Sequence, residues 1–159
     1  MKNSFLSFIL AALTLIVTTA HATLNVVATL PDFGAIAQEI GGDKIKVTSI
    51  ARGTEDPHFV DARPSYIRVL NQADVLLEGG AELEIGWLPP LLNGARNAKI
   101  QGDAPGHVIL SRGIRLLELP TGPVDRSMGD VHPLGNPHYW LDPDNGKIIA
   151  QTLAEAFSK

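Results

Sequence analysis

Two short apolar runs, Leu24–Leu30 (LNVVATL) and Asp74–Glu78 (DVLLE), constrain this chain more than any other feature. Both are rich in branched aliphatic residues and lack the polar alternation of a half-solvated strand, so each reads as a strand buried on both faces. Helical patterns separate them. Phe33, Ile36, Ala37 and Ile40 fall on one helical face behind Asp32 as N-cap, and Gly41-Gly42 ends that helix. Ile45–Ile50 alternates and predicts a second strand. Arg63-Pro64-Ser65 opens a helix to about Asn71 with Ile67 and Leu70 inward. Leu83–Leu92 is expected to be helical on either side of a Pro89-Pro90 break, and a weaker strand is expected over Gly106–Leu110, with Ile114–Leu119 extending it. A final helix is expected behind Asp144, with Ile149, Leu153 and Ala156 as its stripe. Strands alternating with helices imply a parallel sheet flanked by helices, an α/β fold.

The first 22 residues have a different character. A positive start at Lys2, an apolar run from Phe5 through Val17 and a small-x-small Ala20-His21-Ala22 form the pattern of a cleaved secretory signal peptide. The run is too short to span a membrane. The expected organisation is a signal peptide over 1–22 and one α/β domain over 23–159, exported to the periplasm. No Cys follows the apolar run, so a lipid-anchored form is not expected. The last helix reaches Lys159 without a stop signal, which suggests that more chain once followed.

With no Cys in the chain, any metal must be held by imidazole nitrogen or carboxylate oxygen. The net charge of −4, without a basic stripe, argues against nucleic acid or an anionic membrane as partner. There is no phosphate loop, nucleophile elbow or zinc-protease helix, so the chain is not expected to be an enzyme.

Two segments carry chemistry, Glu55-Asp56-Pro57-His58 and Asn136-Pro137-His138-Tyr139-Trp140-Leu141-Asp142-Pro143. Each sets a histidine directly after a proline in a loop. The first loop, 51–62, follows the second strand, and the second closes a Pro/Gly-rich loop over 120–138. In open α/β sheets such loops gather at the carboxyl ends of the strands, where ligands bind. Neutral imidazole suits zinc and other first-row divalent ions. Taken alone, a loop histidine is more often solvated than liganding, and the distance along the chain between these two carries no motif information.

At the same residues the chain resembles a known family. DPHFVDARPS (Asp56–Ser65) and GDVHPLGNPHYWLDP (Gly129–Pro143) are similar to the two N-lobe signatures of the metal-specific solute-binding proteins of ABC transporters. The LNVVATLPDFG and DVLLEGG stretches fit the same layout. The resemblance implies that the chain is one lobe of a two-lobed periplasmic metal-binding protein. It implies His58 and His138 as ligands of a divalent ion, zinc or manganese, carried to a membrane permease by a monomer, with a second lobe supplying further ligands. His132 and Glu55 are weaker candidates, the latter more simply a loop cap. Asp142 is expected to orient a backbone or an imidazole, and Tyr139 and Trp140 to pack. An adhesion module on the same fold, or a zinc hydrolase with Glu55 as base, would be the alternatives. The choice between zinc and manganese would rest on ligands beyond Lys159.

Overall fold

The computed structural model describes residues 23–129 and 131–158; the proposed signal peptide lies outside them. The first apolar run forms strand β1 (Leu24–Ala28) and the second β3 (Val75–Glu78). β2 (Ile45–Ser49) and a short β4 (His107–Ile109) complete the strands among the described residues. They pair in parallel in the order β2-β1-β3-β4. Helices α1 (Pro31–Gly41), α2 (Pro64–Asn71), α3 (Leu88–Ala95) and α4 (Pro143–Phe157) flank the sheet. α1 packs against α4, and α2 against α3. The fold is α/β, as the alternation requires.

Burial follows the runs. Val26, Val27, Ala28, Leu76 and Leu77 are buried in the sheet, against Phe33, Leu70, Leu88, Ile149 and Leu153 from the helices. Because β1 leads outward to β2 while the chain later returns to place β3 on its other side, the order reverses between β1 and β3. That reversal opens a crevice at the carboxyl ends of these two strands, the usual ligand position in such sheets.

Five local expectations need correction. α1 is capped at Leu30 rather than Asp32, and α4 at Asp142 rather than Asp144. The reason is shared: Pro31 and Pro143 occupy the first helical turn, because a ring-fixed φ and a missing N–H suit that position. Asp142 accepts the Asp144 N–H at 2.9 Å. The same rule removes the expected break at Pro89-Pro90, which lies inside the first turn of α3. The stretch before it, residues 81–87, is a run of turns rather than helix. Nor does Ile114–Leu119 extend β4. Glu118 takes a left-handed φ of 54°, which breaks an extended path, and Leu117 and Leu119 project into solvent.

Candidate metal centre

Asp56-Pro57-His58 and Asn136-Pro137-His138 fold alike. In the first, Asp56 Oδ1 accepts both the His58 backbone N–H at 2.9 Å and its ring Nδ1–H at 2.8 Å. In the second, Asn136 Oδ1 accepts the His138 backbone N–H and ring Nδ1–H, both at 2.9 Å. The proline fixes the backbone between acceptor and donor, so one short side chain clamps a whole imidazole.

The clamps also set the tautomers. Asp56 is a carboxylate held below its ordinary range by its hydrogen bonds with His58, so it can only accept. Asn136 is ambiguous by itself, but its Nδ2 donates to Glu118 Oε2 at 2.9 Å, which leaves Oδ1 toward His138. Each ring thus has a proton on Nδ1, and in its neutral form presents an Nε2 lone pair, the form in which imidazole binds a cation. Partial burial, then the nearby His58 and His132 rings, lowers the pKa of His138 and favours its neutral form.

The fold brings the two rings together. The centroids of His58 and His138 are 5.1 Å apart, inclined by 56°. His132 joins them: its ring lies 4.9 Å from that of His58, with an Nε2–Nε2 distance of 3.0 Å. With His58 in its neutral Nδ1–H form, His132 Nε2 is the donor of that bond. Among the described residues, no group of three or more His, Asp or Glu side chains is already set around a common metal position. Two nitrogens bound tetrahedrally at about 2.0–2.1 Å from zinc would lie roughly 3.3 Å apart. The His58–His132 contact is shorter because a shared proton draws the nitrogens closer.

Glu55 does not join the cluster; its Oε2 accepts the Arg52 N–H at 2.8 Å and caps the loop. Asp142 orients backbone only, and the imidazole-orienting part expected of it falls to Asn136 and Asp56. The repeated Asx-Pro-His tripeptide was the available signal for both. His107 lies elsewhere, between Glu78 Oε2 at 2.5 Å and the Gly102 carbonyl at 3.0 Å.

Sequence reasoning missed a buried carboxyl at the ends of β1 and β3. Glu84 is 1 % exposed, in the crevice between β1 and β3. Its Oε1 accepts from Thr29 Oγ1 at 2.6 Å and the Gly79 N–H at 2.8 Å, and its Oε2 from the Gly80 N–H at 3.1 Å. Gly80, Ala81 and Glu82, at φ of 76°, 54° and 65°, turn the chain back so that Glu84 can reach them. Left-handed geometry costs a non-glycine residue on the order of 1–2 kcal/mol, so the surrounding contacts must hold this turn in place.

Burial pushes the Glu84 carboxyl up from 4.5 to about 7. A folded pKa above the unfolded one means that the folded state gains stability from the proton. The gain is complete below 4.5 and is lost as pH rises through 7, on the order of 3 kcal/mol in all. Glu84→Gln cannot titrate. Urea melts from pH 5 to pH 8 should therefore show wild type losing stability relative to this variant, and parallel curves would contradict the shift.

Residues 26–159 match the family described as "ZnuA: Zinc-uptake complex component A periplasmic". Among curated relatives, the metal ABC transporter substrate-binding lipoprotein ScbA of Streptococcus cristatus is 31% identical over 144 residues, covering 89% of this chain and 43% of ScbA. The manganese ABC transporter substrate-binding lipoprotein scaA of Streptococcus gordonii is 30% identical, covering 86% and 41%. A crystal structure of ZnuA superposes with a TM-score of 0.67 at 25% identity, over 86% of this chain and 46% of that one. A zinc-bound ZnuA deletion mutant gives 0.68 at 26%, with the same coverage. The chain spans less than half the length of each.

Proposed function

Because this chain belongs to the ZnuA family of periplasmic metal-uptake components, we propose that it forms the metal-capturing lobe of a solute-binding protein. That protein holds one divalent ion, zinc or manganese, in the periplasm for an ABC importer and its membrane permease. The observation that carries this reading is the 5.1 Å approach of the His58 and His138 rings, each clamped through Nδ1 so that Nε2 is the nitrogen turned toward a ligand, with His132 now occupying that of His58. Two imidazoles on one tetrahedral ion, bonded at about 2.0–2.1 Å, have centroids roughly 5 Å apart. The spacing suits a shared cation with little rearrangement, so little ordering entropy is lost on binding.

His132 is the third ligand favoured by proximity, and Glu55 is not favoured. To bind through Nε2, His132 would move its proton to Nδ1 and give up its bond to His58. Exposed Phe59, Leu117 and Leu141 lie near the rings, and apolar rims of this kind mark surfaces that are covered in use. They support a second lobe closing over this face and completing the coordination. The reading involves no catalytic step.

Zinc titration calorimetry on the chain tests it. Asp56→Ala and Asn136→Ala each free one ring to rotate and change tautomer, so each should lower affinity about 10–100-fold while leaving the urea midpoint nearly unchanged. Unaltered affinity in both would remove the clamps from the site. Binding requires neutral imidazole, so affinity should fall under acid conditions. The lowered His138 pKa places that ring's loss below the ordinary 6.5. A flat profile from pH 7 to pH 5 would point to a carboxylate site instead.

A further inference from the structure

Besides the His58–His132 contact, both imidazole loops are tied to one short piece of buried chain. Trp87, 2 % exposed, donates its indole N–H to the Pro57 carbonyl at 2.8 Å, on the residue before His58. Gly86 lies against the same loop, where an added Cβ would meet the His58 carbonyl at 3.4 Å. Three residues before Trp87, Glu84 holds the Gly79 and Gly80 N–H groups. The Gly79 carbonyl in turn accepts the Tyr139 hydroxyl at 2.7 Å, on the residue after His138. The Trp87 N–H bonds the Glu84 carbonyl at 3.1 Å and the Leu88 N–H bonds it at 3.0 Å, so the two anchors belong to one rigid turn at the head of α3. Thr29 fixes that turn to the end of β1.

We infer that Glu84 and Trp87 are positioning residues for the candidate site: one turn at the head of α3 holds the His138 loop through Gly79 and Tyr139, and the His58 loop through Pro57. The inference rests on the metal-capture reading for its consequence, but not for its geometry. Imidazoles supplied by loops far apart in the chain need a common reference if their separation is to suit an ion, and this turn is bonded to both loops. Packing alone would not require an indole N–H aimed at one loop and a phenol aimed at the backbone beneath the other. Burial and the carboxylates of Glu84 and Glu78 keep the Tyr139 phenol protonated, so it remains a donor. The left-handed Gly80–Glu82 turn is what brings Glu84 back under the glycines.

The test uses the full chain with two readouts, the ring-nitrogen NMR shifts of each histidine without added metal and calorimetric titration with zinc. Trp87→Phe should move the ring nitrogens of His58 and leave those of His138. Tyr139→Phe should do the reverse, and Glu84→Gln should move those of His138. Each should weaken zinc binding about 10–100-fold, the range for loss of an orienting partner, while unfolding remains cooperative. Trp87→Phe leaves a core gap and could fail to fold; Tyr139→Phe removes a single oxygen and then carries the decision. Ring shifts that stay put, or that move equally at both histidines in every variant, would overturn the inference. Wild type that fails to bind zinc would instead overturn the metal reading, while the ring shifts still decide whether this turn positions the imidazoles.

Discussion

Replacing His138 with alanine is expected to lower zinc affinity by more than about 100-fold, beyond what loss of an orienting partner alone costs. The ring is only half-buried and its partner Asn136 keeps its Nδ2 bond to Glu118, so the urea midpoint without metal should hardly change. That pairing of a large binding loss with an unchanged fold is what separates a ligand from a packing residue. His58→Ala should behave in the same way. If either variant bound zinc as wild type does, that histidine would not be a ligand.

The largest loss of stability is expected from Phe33→Ala. Phe33 is fully buried on α1, stacked 6.3 Å from Tyr139 and edge-on to Trp140 at 5.6 Å. Its ring also lies against Gly79, where a Cβ would meet it at 3.1 Å. Removing it empties the space between α1, the end of β3 and the His138 loop. The cost should be about 3–5 kcal/mol, a large part of the roughly 5–15 kcal/mol that holds a domain folded. Urea denaturation measures it, and a loss below about 1 kcal/mol would mean that the site collapses without leaving a cavity. Because Phe33 supports Tyr139, this variant should also weaken zinc binding, unlike a core change remote from the crevice such as Leu70→Ala.

The sheet was legible because uninterrupted aliphatic runs leave few options: LNVVA and VLLE became β1 and β3. The starts of α1 and α4 were misplaced by two residues, where proline follows the capping positions Leu30 and Asp142; that of α2, at Arg63-Pro64, was read correctly. The likeness of DPH and NPH was visible in the residues, and each folds as the same Asx clamp. What the letters did not reveal was the partner of each acceptor. Asn136 is oriented by Glu118, whose left-handed backbone has no local signature. Glu84 sits in ELEIGW, where nothing marks it as more buried than Glu82; its burial follows from a turn made by Gly79 and Gly80 and from Thr29, far earlier in the chain. His132 read only as a weaker candidate, because composition cannot say where a long loop returns, and this one returns to His58.

Anomalous diffraction at the zinc edge, from crystals of the chain grown with zinc, addresses the shared cation directly. The expected result is one strong peak bonded to Nε2 of both His58 and His138, about 2.0–2.1 Å from each. A peak on one ring alone, or bound zinc at carboxylates away from both, would contradict a site built from these two imidazoles.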